Sequence, residues 1–269
     1  MKLVTVIEDT CGNPNCAFEH GLCIYVKAKK HKLLLDTGAT AAFAENAKAL
    51  GIDLSQVDTV VLSHGHYDHS GGILEFRRHN QTAQIFMQRK AAGDYYHGKR
   101  YIGIDKEILK LPSVHLLDGD YRIDEELYLF SGIQGRYLWP RGNQALSGIV
   151  DGKRVQDDFS HEQCLVVTQK GKDILLSGCA HNGILNVLER YESLFHRMPD
   201  VVISGFHMMK KSEYEEQEIA DIEETARELK KLDMLFYTGH CTGQQAFTIM
   251  HGIMGEKLRQ LHSGEEIYI

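Results

Sequence analysis

The stretch VVLSHGHYDHSGG, residues 60–72, places three histidines and an aspartate within the six positions 64–69, behind an apolar run and ahead of a glycine pair. One such side chain would satisfy a local hydrogen bond, so four at one strand end imply a shared partner. His64 and His66 lie two residues apart, and an extended segment aims both at one point. Asp68 and His69 follow after the chain has begun to turn, so they face a neighbouring spot. Gly65, Gly71 and Gly72 let the backbone turn tightly beneath them. Imidazole and carboxylate donors suit zinc and tolerate iron or manganese. Two cations about 3.5–4 Å apart can share a hydroxide and grip both oxygens of a displacement. The cluster therefore reads as two metal centres.

Other parts of the chain repeat the arrangement. β-rich runs recur at the N-terminus (KLVTVIE) and at 22–28, 32–36, 58–63, 84–87, 113–117, 126–130, 164–168, 173–177, 200–204, 234–238 and the C-terminus (EEIYI). Several are continuous apolar runs bounded by charge and glycine, as expected of strands buried on both faces. Helical patterns fall between them at 41–52, 212–232 and 243–261. In the second, Ser212 and Glu215 fit a capping box, with Ile219, Ile222, Ala226 and Leu229 as the apolar stripe. The interleaving predicts an α/β fold with sheets covered by helices and β-hairpins near the N-terminus. Asp36 ends the third run, the histidine cluster ends the fourth, and His181, His207 and His240 follow later runs through glycine-containing turns. In α/β sheets, ligands bind beyond the carboxyl ends of strands.

Composition narrows the function classes. The net charge of −7 disfavours a general nucleic-acid or anionic-membrane binder, since those partners reward a basic surface. No segment approaches the ~20 apolar residues of a membrane span and the start lacks a signal-peptide pattern, so the expected location is the cytoplasm. Six cysteines need not pair in a reducing compartment, and Cys11 and Cys16, separated by four residues including a proline, read as loop thiols. No linker or repeat interrupts the 269 residues, so one domain spanning 1–269 is expected. Residues 88–112 and 132–160 lack periodicity and read as irregular covers over the site.

The motif HGHYDHSGG with Asp36-Thr37-Gly38 upstream resembles the metallo-β-lactamase superfamily signature HxHxDH, and with the later strand-end histidines the likeness extends over nearly the whole chain. The resemblance implies an αββα sandwich, two mixed sheets flanked by helices, with one or two metals at the sheet edge. It implies that His64 and His66 bind a first metal, that Asp68, His69 and His240 bind a second, and that Asp36 is the buried acid supporting the loop. The superfamily usually adds a third histidine and a bridging aspartate. Here the corresponding turn is Gly178-Cys179-Ala180-His181, without an aspartate. His181 is the expected third ligand of the first metal and His161 its competitor, while Cys179 either reaches the second metal or packs as a small apolar residue. His66 stands where the diiron oxidoreductase branch carries an acid, which favours zinc-type hydrolysis.

GCAHNGILN, SGFHM and YTGHCTG are similar to the branch of dihydropterin-methyl-ribofuranosyl-aminobenzene 5′-phosphate synthases and its bacterial metal-dependent hydrolase relatives. That likeness implies a small-molecule substrate carrying phosphate or a pterin-like ring. The expected enzyme is a hydrolase using a metal-activated hydroxide, with Asp68 and His207 as catalytic groups, His207 contacting substrate or acting as general acid unless it is a core histidine. A pterin-type transferase is the second reading, and a non-catalytic sensor retaining the fold is the third. Tyr95, Lys99, Arg100 and Arg136 are candidate substrate contacts, cations for phosphate and rings for a heterocycle. The same basic loops also suit a contact between copies of the chain in a homo-oligomer.

Overall fold

A computed structural model describes all 269 residues. Two seven-stranded sheets dominate it. The first runs in the order Glu266–Tyr268, Lys2–Ile7, Cys23–Lys27, Lys32–Leu35, Thr59–Val61, Gln84–Gln88, Val114–Leu117. The second runs Leu258–Gln260, Leu235–Thr238, Val201–Ile203, Lys172–Leu176, Cys164–Gln169, Leu127–Phe130, Tyr121–Arg122. Within each, the half that carries the site is parallel and the remainder antiparallel, so both sheets are mixed.

Strand alternation builds the layers. Leu165 and Val167, Ile174 and Leu176, and Val201 and Ile203 point inward, where they meet Leu33, Leu35, Val61 and Phe86 of the first sheet in a central apolar layer. Their neighbours Val166, Leu175 and Val202 face the opposite way and pack under the helices Ile184–Phe195, Glu216–Lys231 and Gln244–Met254. Leu34, Val60 and Ile85 likewise face the helices Ala42–Ala49 and Ile73–His79 through Phe43 and Phe76. Helix, sheet, sheet and helix thus stack in four layers.

All twelve expected strands form, and the three N-terminal ones pair antiparallel as hairpins. The helices Ile73–His79 and Ile184–Phe195 add to the three expected from sequence, and further details differ. The helix expected over 243–261 stops at Met254, because Gly255 turns left-handed at φ +57° and Leu258–Gln260 joins the second sheet as a parallel strand. Glu215 and Glu218, rather than Ser212 and Glu215, make the capping box of Glu216–Lys231. The supposedly irregular covers pair with each other: Tyr95–His97, Arg100–Tyr101, Leu146–Val150 and Lys153–Gln156 form a third, four-stranded sheet. Its outer strands are exposed and lack alternation, which hid them from a periodicity reading.

Gln163 ties the two large sheets together at the site end. Its side-chain amide donates to the Leu62 and Phe86 carbonyls, and its backbone N–H donates to the Ser63 carbonyl. No helix is long and apolar enough to cross a membrane.

Candidate metal centre

Past Val61 the chain bends at His64 and Gly65, returns to extended backbone at His66 and then makes the single helical turn Tyr67–Ser70. This break sends the two halves of the motif to two different places. His64 and His66 face His181, with ring centroids 4.8 and 4.9 Å from it, while His69 faces His240.

The hydrogen bonds fix the tautomers. Ser63 Oγ donates to Asp36 Oδ2 at 2.7 Å, so its oxygen is left to accept from His64 Nδ1 at 2.9 Å. Asn143 Nδ2 donates to the His181 carbonyl, which turns its Oδ1 to accept from His181 Nδ1 at 2.9 Å. Both histidines therefore carry a bare lone pair on Nε2, and these two atoms lie 3.3 Å apart. His66 Nε2 is buried with no partner at all. The two facing lone pairs repel one another in this dry space unless a cation sits between them, while a ring nitrogen of His66 lies within 4.8 Å of ligand atoms of Asp157 and His161.

The second group follows the same rule. Asp36 Oδ2 accepts from His69 Nδ1 at 2.6 Å and Asp9 Oδ1 accepts from His240 Nδ1 at 2.6 Å. Their Nε2 atoms then confront each other at 3.2 Å. Asp68 Oδ2 lies 3.9 and 3.7 Å from those two nitrogens, and Cys179 Sγ lies 3.2 Å from His69 Nε2. The Cys179 sulfur also falls within 4.8 Å of the ligand atoms of His64 and His181, so it stands between the two groups. A carboxylate behind each imidazole orients it and strengthens its basicity toward a metal.

The electrostatics agree. Burial drives the His64 and His181 pKa values well below the ordinary histidine value, and burial beside His161 takes His66 down to about 3. These imidazoles are neutral, as ligands must be. Burial would raise Asp68, but the neighbouring His69 and His240 outweigh it and hold the carboxyl at about 2. Burial would also lower His240; the bond to Asp9 and nearby negative groups instead raise it to about 10. Burial beside Cys241 pushes the Cys179 thiol up, a barrier that a cation would have to overcome.

The competitor for the first group is otherwise engaged. His161 Nδ1 accepts from the Gly65 N–H at 3.0 Å and its Nε2 faces Asp157 at 3.1 Å, so neither nitrogen is free. Tyr95 is turned inward: its hydroxyl donates to the Lys90 carbonyl and its ring packs on His161 at 4.1 Å. Its buried ring braces the histidines, where the sequence reading has it stacking on a substrate ring. Lys99 lies at an exposed hairpin turn. Arg100 stacks over Tyr67 and donates to its hydroxyl at 2.7 Å, while Arg136 stacks over Trp139 and donates to Asn182 Oδ1 at 3.1 Å. His207 is half-buried against His181, centroids 4.1 Å apart, with its Nδ1 buried and unpartnered.

Sequence reasoning missed Asp9, His20 and Asn143. Asp9 directly follows the buried strand Lys2–Ile7 and Glu8, a strand-end acid of the kind that singled out Asp36. His20 is exposed, donates from Nδ1 toward Asp9 at 2.8 Å and brings Nε2 to 3.4 Å from Asp68. The turns that carry the site are tight: Asp36, Ala180, His207 and His240 all adopt left-handed backbone at φ between +47° and +60°. Gly178 is required because a Cβ there would sit 2.2 Å from Ser63 Oγ.

Four layers with nitrogen, oxygen and sulfur donors converging at one sheet edge define a metallo-beta-lactamase fold. The chain belongs to the Metallo-beta-lactamase superfamily, whose sequence profile matches residues 17–217, and members of that superfamily are generally enzymes. It is 29% identical over 252 residues to an uncharacterized protein of Methanocaldococcus jannaschii, covering 91% of this chain and 93% of that one. It is 27% identical over 292 residues to 7,8-dihydropterin-6-methyl-4-(beta-D-ribofuranosyl)-aminobenzene-5'-phosphate synthase of the same organism, covering 99% and 96%. A crystal structure of a metal-dependent hydrolase of the beta-lactamase superfamily superimposes with a TM-score of 0.84 at 28% identity, over 100% of this chain and 99% of that one.

Proposed function

We propose that the chain is a metal-dependent hydrolase with a dinuclear, zinc-type centre acting on a phosphate-bearing small molecule. The observation that carries this reading is the pair of facing Nε2 atoms, 3.3 Å apart in one group and 3.2 Å in the other, with the Cys179 sulfur between them. His64, His66 and His181 would hold the first cation, and Asp68, His69 and His240 the second. Cys179 would hold both as thiolate, in the place of the superfamily's aspartate. The mixture of nitrogen, carboxylate and sulfur donors supports zinc over magnesium or calcium.

When bound, the cations supply a nucleophile derived from water near neutral pH and polarise the scissile group. Asp36 and Asp9 keep Nδ1 of His69 and His240 protonated, so each imidazole presents its lone pair inward. Asp68, held ionised, would take part in proton transfer beside the second cation. His207 borders the first group on the side of a cleft, where it would contact substrate. Arg100 and Arg136 bind no carboxylate and would receive the phosphate. The central apolar layer is shared by both sheets, which supports a single domain over 1–269.

The likeness to the aminobenzene riboside phosphate synthase over almost the whole chain supports a second reading, a transferase that attaches an arylamine to a dihydropterin pyrophosphate. Metal analysis of the purified protein, with a screen of phosphodiesters, pyrophosphates and lactones, tests the first reading. Two equivalents of metal, and turnover abolished in folded His64→Ala and His240→Ala, are the expected results. Fewer than one equivalent would refute it. Consumption of a dihydropterin pyrophosphate only when an arylamine is present would select the transferase.

A further inference from the structure

A cleft of about 400 Å³ opens beside the first histidine group, between the 138–145 segment and the start of the helix Glu216–Lys231. We propose that it seats a flat, uncharged nitrogen heterocycle of the substrate, and that the phosphate lies outside it. This rests on the small-molecule reading above and adds which part of the molecule goes where.

Three observations carry it. The walls are ring-binding: Trp139, Tyr214, His207, Met208 and Met209 line the cleft, and thioethers and aromatic rings both stack on flat ligands. Tyr214 is held in place by donating its hydroxyl to the Met208 carbonyl at 2.7 Å. Trp139 also carries a buried ring nitrogen without a partner, Nε1, whereas a ring nitrogen of His207 lies within 4.8 Å of the Cys179 and Cys241 sulfurs. The indole N–H can only donate, so it calls for an acceptor such as a ring nitrogen or carbonyl on the ligand.

Charge then excludes the phosphate. The cations of the lining are already matched, Arg141 to Asp221 at 2.5 Å and Lys210 to Glu218 at 2.6 Å, and Glu215 adds a further acid. Arg100 and Arg136, which have no carboxylate partner, do not line the cleft. The cleft borders the metal-type cluster through its wall, where His207 packs on His181 and Trp139 packs on Phe159, which lies parallel to His181 at 4.4 Å. A ring seated there lies one side chain, His207, away from His181.

Trp139 is the only tryptophan in the chain, so its emission reports on the cleft directly. Pterin is titrated into the metal-loaded protein and into protein stripped by a chelator, with pyrophosphate in a parallel arm. Saturable quenching by pterin in both forms is expected, beyond that of free tryptophan at equal pterin, with no change from pyrophosphate. A Cβ at Gly142 would sit 3.3 Å from His207 Nε2, so Gly142→Val crowds the cleft and should weaken pterin binding tenfold or more. Met209→Ala, at an exposed position of the lining, should weaken it several-fold without threatening the fold. Absence of quenching, displacement of pterin by pyrophosphate, or an unchanged Kd in both folded variants would overturn the inference. Pterin binding to protein that holds no metal and turns nothing over would sink the hydrolase reading and leave this one standing. Full turnover with an unchanged KM in both variants would do the reverse.

Discussion

Asp9 offers the sharpest test of how the second metal group is built. Its Oδ1 accepts from His240 Nδ1 at 2.6 Å and its Oδ2 from His20 Nδ1 at 2.8 Å, so one carboxylate anchors two imidazoles beside Asp68. Removing it has two separable consequences. Asp9→Asn can still accept from His240 Nδ1–H, so the tautomer survives and only the negative charge is lost. Asp9→Ala loses the tautomer constraint as well, leaving a ring free to turn its N–H inward. Carboxylates behind metal-bound histidines typically contribute ~10–100-fold in affinity, about 1.4–2.8 kcal/mol. The Asn variant should fall near the lower end and the Ala variant near the upper. The first group does not touch Asp9, so only one of two metals should loosen. Chelator competition monitored by metal content, with the cobalt-substituted protein's visible spectrum as a second readout, measures this. Retention of both metals within threefold of the parent affinity would refute the reasoning. Equal loss of both would show that Asp9 acts on the fold.

Three further outcomes are expected. His181→Ala should release the first metal, whereas folded His161→Phe should retain it with less than tenfold loss, because only His181 presents a free lone pair; metal titration of the two variants compares them directly. Gly178→Ala forces a Cβ to within 2.2 Å of Ser63 Oγ and 3.2 Å of Asp36 Oδ2, and should lower stability by about 2–3 kcal/mol while loosening His69, seen as a lower Tm together with a lower metal content. His31 bonds Asp58 at 2.6 Å and Asp124 at 3.0 Å; burial would depress its pKa, but the two carboxylates raise it above 6.5. Its contribution, about 1 kcal/mol for a partly exposed pair, is complete below pH 6.5 and lost as pH climbs through the raised value. His31→Gln should therefore cost most in denaturant unfolding near pH 6 and little near pH 10, and a pH-independent cost would contradict the assignment.

What the sequence revealed about this site, and what it hid, follow from one physical distinction. Ligand-type residues were visible because each sits directly behind an apolar run, and the end of a buried strand is local information. Which nitrogen of which histidine is free is not local. His181 is the expected ligand of the first group and His161 its competitor on sequence grounds, and what distinguishes their ring nitrogens is that the Gly65 N–H binds one and the Asn143 amide turns the other inward. Asp9 was missed because its partner His240 lies 231 residues away, a pairing that no periodicity encodes. The third sheet was missed for another reason: its outer strands bury nothing that would impose alternation. The left-handed turns tie these points together. Asp and His tolerate that conformation at modest cost, but Ala180 has no polar side chain to compensate and is fully buried. It is held there because Cys179 and His181, on either side, are fixed among the facing histidines, so the strain is stored where the two groups meet.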